Sequence, residues 1–273
     1  MLSKLNTNLA MSFNPVILNI GPISIYWYSL AYVFGILFTY WYLHKLDDQK
    51  TFTKDFYDSL LTAVIIGVIL GGRFGYVLIY DPAFYISNPI DIFKTWEGGM
   101  SFHGGIIGVL SAVIIVCKRH KISIFYTLDL ISCGMPIGLF LGRIGNFING
   151  ELFGRVTNVS WGMIFPKSGD NFLRHPTQLY QAFFEGFLLF IALNLLCFFT
   201  KTRLYNGALT GIAIIWLGAM RFLIEFVREP DYQIGYLWLN LTMGQLLSIP
   251  TFTVGVLLYL RALNLKFNTK SVM

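Results

Sequence analysis

Seven apolar runs, separated by polar connections, set the organisation of this chain. They read as membrane-crossing helices over about Ile23–Leu43, Leu60–Tyr80, Phe102–Val116, Ile124–Leu141, Gln178–Phe199, Gly207–Phe226 and Leu241–Leu260. The belt Tyr40-Trp41-Tyr42 places the end of the first run at a membrane interface, and Asp81-Pro82 stops the second. Pro136 is expected to kink the fourth run. Residues 1–20 are more polar and are expected at the surface, with Phe13, Val16 and Ile20 among the headgroups. They lack the positive-then-apolar pattern and small-residue site of a cleavable signal peptide, so the first run is expected to remain in the membrane. The longest polar stretch, 145–177, reads as an extracytoplasmic head within a single domain spanning 1–273. Its middle, Val159 to Phe165, is expected to form a short strand or hairpin.

Glycine spacing predicts how the helices pack. Gly67, Gly71 and Gly75 recur on one face of the second run, Gly104 and Gly108 on the third, and Gly134, Gly138 and Gly142 on the fourth. Small residues four apart let two backbones approach closely within a bilayer. Composition agrees: 55% of residues are apolar, only 12% are charged, and mean hydropathy is +0.63. The net charge of +6 is dispersed between apolar runs, which excludes a soluble basic domain for nucleic acid. Cys117, Cys133 and Cys197 lie in or beside apolar runs without metal-ligand spacing and read as small buried hydrophobes.

The placement of charge gives a topology. The connections after the first, third and fifth runs, together with the C-terminal tail, hold eleven of the twenty Lys and Arg residues. Lys118-Arg119-His120-Lys121 is the densest group. Positive residues stay on the cytoplasmic side, so the N-terminus is expected outside and the C-terminus in the cytoplasm.

That orientation brings distinctive polar residues to one depth. Arg73 falls in the outer part of the second run and His103 at the outer mouth of the third. Arg143 and Asn146 end the fourth, His175 and Gln178 open the fifth, and Arg221 and Glu225 close the sixth with Arg228 beyond. Groups from several helices at a common depth are what a site between helices requires. The stretch GRIGNFINGELFGR, Gly142 to Arg155, forms one wall of it. Guanidinium forks on Arg143 and Arg221, and on Arg73, Arg155 and Arg228, suit phosphate oxygens. Glu225, four residues after Arg221, is placed to hold that fork. Asn146 and Asn149 suit headgroup hydroxyls or esters, and an apolar space below would take acyl chains. His103 precedes two glycines and carries an imidazole able to accept a proton near neutral pH. Asp129 and Glu185, inside helices, are expected as hydrogen-bond or ion-pair partners. No HExxH, DDxxD, GxSxG or dinucleotide-binding loop occurs, so neither a metal nor a cofactor is expected.

The chain resembles the bacterial phosphatidylglycerol–prolipoprotein diacylglyceryl transferases. The resemblance rests on Gly142–Arg155, on His103-Gly104-Gly105, on His175-Pro176-Thr177-Gln178-Leu179-Tyr180 and on Arg221-Phe222-Leu223-Ile224-Glu225-Phe226-Val227-Arg228. It implies transfer of the sn-1,2-diacylglyceryl group of phosphatidylglycerol to the lipobox cysteine of a preprolipoprotein signal peptide, releasing glycerol 1-phosphate. The implied location is the bacterial inner membrane, with the active site near the extracytoplasmic face and membrane lipids as its surroundings. The implied essential residues are Arg143 and Arg221, with His103 close to the chemistry as a further catalytic candidate. Tyr26, Arg73, Asn146, Asn149, Glu151, Gly154, Arg155, His175, Glu225 and Arg228 are the candidate substrate-binding positions. A transporter would call for internal repeats and a route to both leaflets, neither evident here. A receptor leaves the shared depth of the polar residues unexplained.

Overall fold

A computed structural model describes residues 13–21, 23–230 and 235–270. The chain is helical, and each apolar run forms a helix. The long helices are α1 (Trp27–Leu46), α2 (Lys54–Ile79), α3 (Phe102–His120), α4 (Ile124–Ile148), α5 (Thr177–Phe199), α6 (Ala208–Ile224) and α7 (Met243–Lys270). Among the described residues, five helices are long and apolar enough to cross a membrane: α2, α3, α4, α5 and α7. Helix α6 is apolar and shorter, at 17 residues. Helix α1 is dominated by aromatic residues, whose amphipathic rings suit the interface more than the hydrocarbon centre. The chain is therefore a polytopic membrane protein.

The first apolar run departs from expectation at its start. Residues Val16–Ile20 and Ile23–Tyr26 form strands β1 and β2, paired antiparallel with Val16 opposite Tyr26. The helix begins only at Trp27, so the segment expected among the headgroups is partly an extended ribbon. Gly21, with φ of 59°, supplies the left-handed turn residue between the strands.

The chain forms two compact units, residues 44–128 and residues 1–43 with 129–273. In the smaller unit, α2 and α3 pack backbone to backbone along the glycine stripes. A Cβ added at Gly108 would lie 1.9 Å from the Gly67 carbonyl oxygen, and one at Gly104 would lie 2.2 Å from that of Gly71. Thr53 caps α2 by accepting from the Phe56 amide, and Ser101 caps α3 by accepting from the Gly104 amide. Asp47 secures the turn after α1, accepting from the Thr51 and Phe52 amides and from the Tyr57 and Tyr126 hydroxyls.

In the larger unit, Gly35 of α1 meets Gly138 of α4, and Thr39 meets Gly134. The third glycine of that stripe, Gly142, faces open space. Helix α4 continues through Pro136. Gly211 and Gly218 of α6 receive Tyr259 and Phe252 of α7. Asp129 caps the start of α6, its carboxylate accepting from the Gly207 and Thr210 amides and the Thr210 hydroxyl. This is the hydrogen-bonding role expected of it. The head has no regular hairpin over Val159–Phe165. Instead, Val156 and Met163 each pair with Arg174, and Gly154 pairs with Arg228.

Candidate active site

The larger unit gathers most of the residues singled out in the sequence. Helix α4 carries Arg143 and Asn146 in its last turns, then breaks at Gly150, whose φ is 63°. Leu152 follows with φ of 58°, an uncommon and costly conformation for a branched apolar side chain. This sharp return brings Glu151 back beneath the helix end. Its carboxylate accepts from the Asn146 amide at 2.9 Å and the Asn149 amide at 3.2 Å. Gln178 donates to the Glu151 carbonyl and Thr177 to the Leu152 carbonyl, so the start of α5 clamps the same turn.

Arg143 faces Glu185 of α5 at 3.2 Å. Glu185 lies within the π-helical stretch Ala182–Leu188, where the wider turn interrupts the regular helical succession of side chains. Gly186 in that stretch packs directly on Phe140 of α4. Arg221 pairs with Glu225 at 3.3 Å, at the i,i+4 spacing read from the sequence. Glu225 also accepts from Arg228 at 3.4 Å and from the Thr242 hydroxyl at 3.1 Å. Gly244 leaves no room between α7 and this carboxylate: a Cβ there would lie 2.5 Å from the Glu225 carboxyl carbon.

Exposure separates the charges into two layers. The Glu185, Glu225 and Arg228 side chains are 6%, 3% and 7% exposed, whereas Arg143 and Arg221 are 24% and 27% exposed. Buried carboxylates therefore pair with two arginines whose side chains remain partly open. Arg143, Glu185, Glu225 and Arg228 are the charges that act on Arg221, so the five form one electrostatic group. Three guanidiniums against two carboxylates leave one positive charge, which suits a singly charged phosphodiester.

Other candidates occupy different positions. Arg73, in the smaller unit, is buried and gives its donors to the carbonyls of Asp91, Ile92, Gly98 and Gly99, holding the loop between α2 and α3. Arg155 donates to the Arg228 carbonyl and lies over the Tyr236 ring. Tyr26 closes β2 and is exposed. His103 stands in the first turn of α3, in the smaller unit, with its side chain exposed. Gly154 lets two strands close over it: a Cβ there would lie 2.5 Å from the Val227 oxygen and 2.6 Å from the His175 Cβ. Burial holds the His175 imidazole below its ordinary pKa.

Some residues at the site had not been singled out. The Tyr28 ring packs on Gly145, its hydroxyl is 3.0 Å from that of Tyr32, and the Arg143 charge reaches Tyr32. Their i,i+4 spacing at the start of a helix was the available signal. Arg174 organises the head through Asp170 at 2.6 Å and Glu229 at 3.0 Å, while stacking on Phe153. Beside α4, an apolar groove of about 550 Å³ runs among Phe13, Trp27, Ile144, Phe147, Ile148 and Leu179. Among the described residues, no cluster of His, Cys, Asp or Glu is placed to hold a metal ion.

Membrane helices that expose a guanidinium pair, backed by buried carboxylates and flanked by an apolar groove, define a membrane-embedded enzyme for anionic lipid. The family model described as prolipoprotein diacylglyceryl transferase matches residues 15–261, and the chain belongs to that family. Similar proteins called phosphatidylglycerol–prolipoprotein diacylglyceryl transferase occur in several bacteria. The protein of Wolbachia pipientis wMel is 76% identical over 96% of this chain and 100% of its own. That of Ehrlichia ruminantium (strain Welgevonden) is 56% identical over 90% and 95%, and that of Rickettsia bellii 50% over 92% and 95%.

Proposed function

We propose a division of labour for the reaction this chain catalyses, transfer of the diacylglyceryl group of phosphatidylglycerol to the cysteine thiol of a prolipoprotein. Arg143 and Arg221 clasp the phosphate. Glu185 and Glu225 hold the two forks in place from behind, and Arg228 keeps Glu225 aligned. The observation that carries this reading is the layering of exposure: of the three arginines in the group, Arg143 and Arg221 keep about a quarter of their side-chain surface open, while Arg228 and both carboxylates are buried.

In the chemical step the cysteine S–H loses its proton and sulfur forms a bond to the terminal glycerol carbon of the diacylglyceryl group. The bond from that carbon to the phosphate oxygen breaks, and glycerol 1-phosphate leaves with the electron pair. An ordinary thiol, with a pKa of about 8.5, is mostly protonated near neutrality and needs a base or a positive field. His103 is assigned as the base. Arg143 and Arg221 stabilise the charge growing on the leaving phosphate, a contribution on the order of 3 kcal/mol for each such donor. Asn146, Asn149 and Glu151 face the headgroup hydroxyls, and the groove beside α4 takes acyl chain. Arg73 serves by holding the loop between α2 and α3, and Arg155 by holding the backbone at Arg228.

The same reading places all seven helices across the bacterial inner membrane, with the N-terminus outside, the C-terminus in the cytoplasm and the site near the extracytoplasmic face. The basic groups after α1, α3 and α5 support that orientation. Reconstituted enzyme given phosphatidylglycerol and a lipobox peptide tests the assignment. Arg143→Ala and Arg221→Ala should each lose transfer and glycerol 1-phosphate release while the protein stays folded. Near-normal turnover in either variant would remove the phosphate role.

A further inference from the structure

Where the head meets α5, three side chains form a hydrogen-bonded chain. Trp161 Nε1 lies 2.6 Å from the Tyr180 hydroxyl oxygen, and that oxygen lies 3.1 Å from His175 Nδ1. An indole N–H can only donate, so the Tyr180 oxygen is the acceptor in the first contact. If His175 Nδ1 carried a proton, Tyr180 would receive two donors while its own O–H had no acceptor among the described residues. With the Tyr180 proton directed at Nδ1, both contacts have a donor and an acceptor. The proton of neutral His175 is then on Nε2.

The backbone fixes the ring as firmly. The His175 carbonyl accepts from the Gly154 amide at 2.8 Å, and its own amide donates to the Arg155 carbonyl at 3.1 Å. Gly154 in turn pairs with Arg228, which bonds to Glu225 and through it to Arg221. His175 is thus tied by short links to the guanidinium group. Its Nε2 has no protein partner among the described residues, and the side chain is partly open.

We infer that His175 is a fixed, neutral hydrogen-bond donor for a phosphate oxygen of the lipid headgroup, and that Tyr180 and Trp161 are positioning residues that hold it in the Nε2–H form. The inference rests on the phosphate role given to Arg143 and Arg221. A donor whose tautomer is set in advance avoids the cost of selecting it when the anion arrives. Burial of the ring lowers its pKa and so favours the neutral form, which orients the anion without adding charge.

Two substitutions separate the ring nitrogens. In His175→Gln the side-chain amide nitrogen falls where Nε2 was, and in His175→Asn it falls where Nδ1 was. His175→Gln should stay within about threefold of wild type, while His175→Asn should lose about tenfold or more, seen as a raised KM for phosphatidylglycerol, the loss typical of a hydrogen bond to a charged partner. Imidazole 15N shifts of the wild-type protein should show Nε2 protonated, and Tyr180→Phe should mix the tautomers. A protonated Nδ1 in wild type, or equal activity of the two variants beside an inactive Arg143→Ala, would overturn the inference while leaving the phosphate reading in place. Full activity of Arg143→Ala would remove the phosphate itself, and this inference with it.

Discussion

Arg143 of α4 and Glu185 of α5 are 42 residues apart in the chain and 3.2 Å apart in space. The carboxylate side chain is nearly buried, whereas the arginine side chain keeps about a quarter of its surface open. A buried carboxylate without its partner is costly, so the pair is committed in that direction. The arginine can still offer its remaining donors outward. Glu185→Gln keeps the shape of the side chain and removes the charge that fixes the fork. It should lower kcat/KM for phosphatidylglycerol about tenfold with a modest change in thermal stability. Glu185→Ala should both inactivate and destabilise. Steady-state kinetics and a melting curve on the same preparations check the split, and unchanged kinetics in Glu185→Gln would refute it.

That pair also marks where the sequence stops being informative. Arg221 and Glu225 were legible because one helical turn separates them, and Asn146, Asn149 and Glu151 because they lie within a few residues of one another. Glu185 could be given an ion-pair role but not a partner, since its neighbour lies on another helix and a π-helical stretch carries it. Arg73 shows a different limit. Its partners are four backbone carbonyls, and any sequence supplies carbonyls, so nothing marked it as a loop anchor. The helices were visible through apolar length alone. The β1–β2 ribbon was not, because an apolar strand running straight into an apolar helix leaves no break in the pattern.

Gly154 is a glycine for reasons of space. A methyl group there would meet the Val227 carbonyl oxygen and both the Cβ and the carbonyl oxygen of His175, all within 2.8 Å. Two of those three are backbone atoms, which cannot swing aside. Gly154→Ala should therefore force apart the ribbon that links His175 to Arg228, at a cost of about 1–3 kcal/mol for overpacking. Activity should fall steeply, and the head should become more sensitive to limited proteolysis while the membrane helices keep their protection. Wild-type activity and an uncleaved head in this variant would show that the ribbon can be remodelled.

The Asp170–Arg174 pair gives the head a dependence on acid. The Arg174 hydrogen bond holds the Asp170 carboxyl below the usual carboxylate range. A depressed folded pKa means that the stabilisation is complete above the unfolded value, about 3.9, and fades as pH falls through the lower folded value. Near neutral pH, Asp170→Asn should make the head easier to cleave than in wild type. Once the pH has fallen below the depressed folded value of Asp170 the two proteins should behave alike, because residue 170 is then uncharged in both. An acid-stable protease over a pH series reads this directly, and a difference that persists undiminished in strong acid would exclude the ion pair as its source.

The two glycines after His103 have separate physical roles. A Cβ at Gly104 would lie 2.2 Å from the Gly71 carbonyl oxygen and 2.9 Å from the Gly75 Cα, whereas one at Gly105 would meet nothing within 4 Å. Gly104 therefore belongs to the packing of α2 on α3, and Gly105 faces an open surface two residues after the exposed imidazole. If that surface is where lipid comes near His103, bulk at Gly105 should obstruct the reaction and leave the fold alone. Gly104→Ala should lower the melting temperature by several degrees, as expected when packed backbones must separate. Gly105→Leu should melt like wild type and lose activity through a raised KM for phosphatidylglycerol, with Gly105→Ala close to normal in both respects. Gly105→Leu with wild-type kinetics would show that lipid does not approach His103 over this face, and the glycine there would need another explanation.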